Sequence, residues 1–141
     1  MALGISDSGI VIGAGRTERA IAIDVVREFL DALGRRDLAA ASAYLAPGFV
    51  MTLPGNHQFR SLEEFAAFSA TRSGAARRAI DGLEASEAPT GLAVYATGTM
   101  TGSWPDGRSF QGVRFCDRVV LRNGLIVEMQ VWSDLAEYRS G

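Results

Sequence analysis

From Thr17 onward, apolar residues return every three or four positions as Ile21, Val25, Val26, Phe29, Leu30 and Leu33, while Asp24, Arg27, Glu28 and Asp31 fall mainly on other faces. That period predicts an amphipathic helix ending at Gly34. Asp37 is placed to cap a short second helix running through Ala46, which Pro47-Gly48 stops. Phe49, Met51 and Leu53 alternate with Val50 and Thr52, predicting a short strand closed by Pro54-Gly55. Ser61-Leu62-Glu63-Glu64 has the form of a capping box, opening a third helix with Leu62, Phe65 and Phe68 as apolar contacts. After about residue 79 the period falls to two. Strands are expected near 80–88, 91–104, 108–122 and 125–133, with turns at Ala88-Pro89-Thr90-Gly91, Pro105-Asp106-Gly107 and Arg122-Asn123-Gly124. Three helices followed by an antiparallel meander form an α+β order, in which the helices must cover one face of a curved sheet.

Residues 17–141 read as one domain, and residues 1–16 as a Gly-rich extension, flexible or packed on a partner. Gly13-Ala14-Gly15 begins like a dinucleotide loop, but Glu18 stands at the third glycine position and no βαβ unit follows.

The final hairpin isolates one acid. One face of residues 109–122 carries Val113, Phe115, Asp117, Val119 and Leu121; the other carries Arg114, Cys116, Arg118, Val120 and Arg122. A two-residue Asn123-Gly124 turn pairs Leu121 with Ile126 and sets Glu128 and Gln130 beside the apolar face. A three-residue turn pairs Leu121 with Leu125 and gathers Leu125, Val127, Met129 and Val131 there instead. Burial favours the second register, because a one-residue slip exchanges the two faces. Asp117 is then the single polar side chain in an apolar patch, directly across from Met129, with Arg118 opposite Glu128 and Arg114 opposite Trp132. A carboxylate so placed has a raised pKa unless a cation or donors reach it. Such an acid serves function when held protonated or poised as a base. The structural alternatives are a bulge that turns Asp117 to solvent or an ion pair with a neighbouring arginine. Ala96, Gly98 and Gly102 on one parity of the preceding strand either leave room for a cavity or permit sharp bending.

Composition removes several chemistries. All 14 basic residues are arginine, so neither a Schiff-base lysine nor a P-loop lysine exists, and the composition hints at a GC-rich bacterial source. A formal charge of −2 argues against nucleic-acid binding. One Cys and one His argue against an internal disulfide and a metal site. No apolar run predicts a membrane span and no signal-peptide pattern opens the chain, so the cytoplasm is the expected compartment. No cofactor motif is present. His57, in Gly55-Asn56-His57-Gln58, is either a general base beside Asp117 or an exposed loop histidine. Tyr44 and Tyr95 are expected to pack, Asp134 to cap the C-terminal turn, and Cys116 to be structural.

The element order and the tail Val113-Arg-Phe-Cys-Asp117-Arg … Asn123-Gly-Leu-Ile-Val … Trp132-Ser-Asp134-Leu-Ala resemble the nuclear transport factor 2-like superfamily, most of all its SnoaL-like bacterial members. The resemblance covers about residues 18–138 and includes Val26 to Asp37, Phe49–Gly55 and Asp106-Gly107-Arg108. It implies a cone-shaped, cystatin-like α+β barrel, with a curved antiparallel or mixed sheet wrapped around the three N-terminal helices. It also aligns Asp117 with the pocket aspartate of SnoaL-like cyclases and with the oxyanion-binding acid of the more distant ketosteroid isomerases. Met129 matches an isomerase pocket position. Phe29 stands where the isomerases carry their oxyanion tyrosine, and Thr52 or Leu53 where they carry the base aspartate. Thr97, Thr99 and Val131 occupy the positions of the Arg-x-Asp and second acid of limonene-epoxide hydrolases, which makes that chemistry the weaker option.

Two functions remain open. One is a proton-transfer enzyme of the cyclase or isomerase kind, acting on an apolar carbonyl-containing or polyketide-like molecule. Asp117 and His57 would be catalytic there, and Phe29, Thr52, Met100, Phe115, Val119, Met129 and Val131 would line the pocket. The other is a non-catalytic ligand-binding or dimerisation domain, with Trp132 and Arg114 on an outer sheet face used for a homodimer.

Overall fold

A computed structural model describes residues 14–72 and 76–138. Helix α1 (Ala14–Gly34) buries Ala22, Val26, Phe29, Leu30 and Leu33, a stripe at three- and four-residue steps. Ile21, expected in that stripe, is 54% exposed; Ala22, one position on, takes the core-facing place. Helix α2 (Leu38–Ser42) is capped by Asp37, whose carboxylate accepts from the Ala40 amide at 3.1 Å. It is shorter than expected because strand β1 (Leu45–Leu53) begins at once, pairing in parallel with β6 (Leu125–Ser133). Pro47 has no amide hydrogen to give and Gly48 has φ +84°, so the two break the register between Leu45 and Val50 rather than end a helix. A short strand β2 (His57–Phe59), unforeseen in the sequence, folds back on β1 through Pro54-Gly55-Asn56. Helix α3 (Leu62–Ala70) starts at the expected cap: the Ser61 hydroxyl accepts from the Glu64 amide, and the Glu64 carboxylate accepts from the Arg60 amide.

Strands β3 (Ala76–Ala88), β4 (Gly91–Ser103) and β5 (Ser109–Arg122) complete a meander with β6, within a residue or two of expectation except for an earlier start of β3. The sheet runs β2-β1-β6-β5-β4-β3; the β1–β6 pair is parallel, the rest antiparallel, and its edges do not meet. Helix α1 packs on β3 and β4, and a continuous apolar core fills the space between helices and sheet. The architecture is the expected α+β cone: a curved, unclosed mixed sheet over three helices. Residues 14–16 belong to α1 rather than to an extension; residues 1–13 lie outside the described residues.

The closing hairpin has the two-residue turn, not the three-residue turn that burial favoured, and a bulge restores the expected faces in a register different from either considered above. Asn123 (φ 55°) and Gly124 (φ 80°) form a two-residue turn between Arg122 and Leu125, so Leu121 faces Ile126. One extra residue on β6, Val127, then shifts the pairing so that Val120 meets Glu128 and Val119 meets Met129. This bulge buries Ile126 before the shift and Met129 and Val131 after it, and keeps Glu128 and Gln130 off the core face. Asp117 therefore lies opposite Val131, and Trp132 opposite Cys116 rather than Arg114.

Strands β3 and β4 approach closely at Gly98. A Cβ added to Gly98 would stand 2.0 Å from the Ala79 carbonyl oxygen. Gly98→Ala should therefore lower stability by about 2–3 kcal/mol, since the obstructing atom is backbone and must move. Gly34→Ala, with open space around it and a helical backbone, should be neutral or stabilising by up to about 1 kcal/mol. Urea denaturation of both variants measures the contrast.

Candidate functional site

A cavity of about 390 Å³ opens between the C-terminal end of α1, the β1–β2 turn, α3 and the inner face of the sheet. Its walls are mainly apolar, with Leu33, Leu53, Phe65, Phe68, Met100, Trp104, Val131 and Leu135. Among the described residues, its charged and titratable lining side chains are Arg36, His57, Arg72 and Arg78, and no carboxylate lines it.

His57 begins β2, where Leu53 and His57 pair across the turn. Gly55 (φ +86°) gives the turn its shape and leaves room for the imidazole, whose nearest ring atoms would lie 3.2 Å from an added Cβ. The ring packs on Phe68, with centroids 4.8 Å apart. Its Nε2 lies 3.4 Å from the Arg72 guanidinium, which itself sits 4.7 Å above the Phe68 ring. An arginine offers only hydrogens, so the contact requires Nε2 as acceptor and the proton on Nδ1.

Asp117 is fully buried, as its strand position implied, but it does not line the cavity. Of the structural alternatives, the ion pair is present. Arg78 donates from Nε to one carboxylate oxygen at 2.7 Å and from Nη2 to the other at 3.2 Å. The register explains the reach. Arg78 sits on β3 opposite Met100; on β4 the inward residues toward Asp117 are Gly98, paired with Phe115, and Ala96, paired with Asp117. Nothing larger than a methyl group stands in that path, and the guanidinium crosses 5.0 Å from the Phe115 ring centroid. The small residues thus make space for Arg78 and for the close approach of β3 and β4, not directly for a ligand. Two of the five N–H bonds of Arg78 are spent on Asp117, leaving the rest of its guanidinium for the cavity it lines.

Of the residues expected at the pocket, His57, Met100 and Val131 line it. Phe29, Phe115, Val119 and Met129 are core side chains, because the helices close over the middle of the sheet and the cavity forms at one end. Thr52 faces away and is contacted by the Gln58 amide at 3.4 Å. Arg72, Arg78 and Trp104 were missed as site residues. For Arg78 the available signal was the parity Ala76-x-Arg78-x-Ile80, which places an arginine on an apolar strand face. Cys116 lies on the opposite face, and burial and then Asp117 push its thiol pKa up, in keeping with a structural role. Tyr44 donates to Glu28, and Asp134 pairs with Arg114 while the Ser133 hydroxyl accepts from the Leu135 amide in its stead. Among the described residues, no three His, Cys, Asp or Glu side chains converge as metal ligands would.

Burial holds the Asp117 carboxyl above the ordinary carboxylate range, and the charge and hydrogen bonds of Arg78 oppose that rise. Asp117→Leu should cost about 3 kcal/mol by stranding Arg78, and Arg78→Met/Asp117→Leu should recover most of it. Arg78→Met alone leaves a buried acid whose folded pKa lies further above its unfolded value of about 4. A raised folded pKa contributes stability that is present below the unfolded value and lost as pH rises through the folded one. The urea midpoint of Arg78→Met should therefore fall between about pH 4 and neutrality, more steeply than that of the unaltered protein; parallel pH profiles would contradict the pairing.

The SnoaL-like domain model matches residues 26–129. The fold is similar to that of an NTF2-like protein of unknown function from Burkholderia pseudomallei, at 26% identity and a TM-score of 0.70 over 84% of this chain and 94% of that one. TerC, crystallised with polyporic acid, is 18% identical with a TM-score of 0.72, over 85% of this chain and 96% of its own. A proposed SnoaL-like polyketide cyclase from Jannaschia sp. CCS1 is 18% identical with a TM-score of 0.67, over 87% and 92%. No curated protein is significantly similar in sequence. The matched segment runs from the second half of helix α1 into strand β6 and includes both Arg78 and Asp117, and on that match the chain belongs to the SnoaL-like domain family.

Proposed function

We propose that the cavity binds a small, largely apolar carbonyl-containing molecule, polyketide-like in character, and transfers a proton on it in the manner of a cyclase or isomerase. The observation that carries this reading is Arg78: a guanidinium held along one edge by Asp117, in the wall of a cavity that also contains His57. An N–H donor fixed in advance stabilises the oxygen of an enolate as it forms. His57 Nε2 takes the proton from the carbon next to the carbonyl, the C–H electron pair moves into the enolate, and Arg78 receives the oxygen charge. Return of the proton to another carbon gives isomerisation; attack of the carbanion on a second carbonyl gives ring closure. Asp117, expected from sequence to be the acid itself, becomes the positioning residue for Arg78, since both its oxygens are engaged. The likeness to a proposed polyketide cyclase and to TerC, crystallised with polyporic acid, supports a polyketide-like ligand.

A second reading, ligand binding without turnover, is favoured by the contact of His57 Nε2 with Arg72, which occupies the lone pair needed by a base. Deuterium exchange next to the carbonyl of 2-tetralone, followed by NMR in heavy water, separates the two. Catalysed exchange that falls about a hundredfold in Arg78→Met and in His57→Gln supports proton transfer. Binding of the ketone with exchange at the buffer rate leaves the binding reading.

The outer sheet face is proposed as a homodimer surface. Trp132 (52% exposed), Cys116 and Thr97 form one row across it, and Gln130, Arg118 and Tyr95 the next. Light scattering should show a dimer that Trp132→Glu converts to monomer; an unaltered mass in the variant would remove this surface from consideration.

No helix among the described residues is long and apolar enough to cross a membrane.

A further inference from the structure

The charge around the cavity is unequally balanced. Arg78 has Asp117 behind it at 2.7 Å, so that guanidinium is compensated. Arg72 has different company: its contacts are the neutral acceptor Nε2 of His57 and the face of Phe68. It forms no ion pair among the described residues, and no Asp or Glu shares the wall with it. A partly desolvated cation beside Leu53, Phe65 and Phe68 attracts an anion more strongly than one in open water does. The ring of Phe68 lies beneath the guanidinium and orients it, which prepares the planar fork for a planar partner.

We propose that the ligand of this cavity is an amphipathic organic carboxylate, its apolar body against the aromatic and aliphatic wall and its carboxylate paired with Arg72. A carboxylate matches the two parallel N–H bonds of one guanidinium edge. A phosphate monoester brings a second charge and a third oxygen, beyond what the two parallel N–H bonds of one guanidinium edge match. The inference rests on the small-molecule reading given above and deepens it. It also resolves the conflict at His57. A carboxylate draws the Arg72 N–H bonds to itself, and Nε2 then has a lone pair available for a substrate proton. Ligand charge thus prepares the base as well as holding the ligand.

The test uses a matched pair of probes, 2-naphthoate and 2-naphthamide, titrated calorimetrically at neutral pH into the full chain and its Arg72→Gln, Arg72→Lys and Arg78→Met variants. The carboxylate should bind about tenfold or more tighter than the amide. Arg72→Gln should bring that ratio near one while leaving amide affinity within about twofold, and Arg72→Lys should retain part of the preference. Arg78→Met, which removes a donor from the same wall, should lower both affinities and still leave the carboxylate favoured over the amide. Equal binding of the two probes by the unaltered chain overturns the anion inference and leaves the pocket reading intact. Collapse of the ratio in Arg78→Met but not in Arg72→Gln overturns the assignment to Arg72. Failure of both probes to bind overturns the pocket reading, and this inference with it.

Discussion

The pairing of Arg78 with Asp117 constrains much of what surrounds it. A carboxylate with no solvent exposure is costly unless donors meet both oxygens, and one guanidinium edge does so here. To reach across two strands, Arg78 needs a trough, and β4 supplies it with Ala96 and Gly98. Gly98 in turn permits the close approach of β4 to the Ala79 carbonyl. Phe115 floors the crossing with its ring. A buried ion pair is a poor source of net stability, because desolvation offsets most of the attraction. Its effect here is positional: it fixes a cation at the inner end of an apolar cavity.

The cavity extends that logic to function. Its body is apolar, its charged wall residues are all arginines, and the compensating carboxylate stays out of sight behind one of them. Such a wall favours a ligand with ring or chain surface and electron-rich oxygens. The two guanidiniums differ in what they can do. Arg78 is clamped by Asp117, and Arg72 rests on a ring and a neutral imidazole; under the proposed function the first meets an oxygen that gains charge and the second a charge already present. His57 stands where both matter, held beside Arg72 by a glycine turn that leaves space for its ring.

Asp117 was legible because period-two alternation is a local property: neighbours at 115 and 119 declare the face, and the face declares burial. Its partner was not, since Arg78 lies 39 residues away on a strand whose alternation is interrupted by Asp81 and Gly82. The hairpin register divides in the same way. Asn123-Gly124 carries the turn signal and Ile126 the burial signal for one register, while Met129 and Val131 carry the burial signal for the other. Both burial signals are met, because one extra residue at Val127 exchanges the faces beyond the turn, although the resulting pairing of Val119 with Met129 belongs to neither expected register. Strand β2 escaped notice because three residues are too few for a period to show. The pocket residues were misplaced for a related reason: inward parity identifies Phe29, Phe115, Val119 and Met129 as interior, without saying whether helix or void lies above them.

By itself, then, the sequence determined the α+β order, the helix caps at Asp37 and Ser61, the strand limits of the meander apart from the start of β3, and the burial of Asp117. All of these follow from propensities and periods that act over a few residues. Tertiary structure decided which cation meets that acid, where the sheet bulges, which interior residues border the cavity and that three arginines and one histidine share its wall. Those depend on contacts between segments far apart in the chain, where loop closure and the packing of helix on sheet, rather than local pattern, select the neighbours.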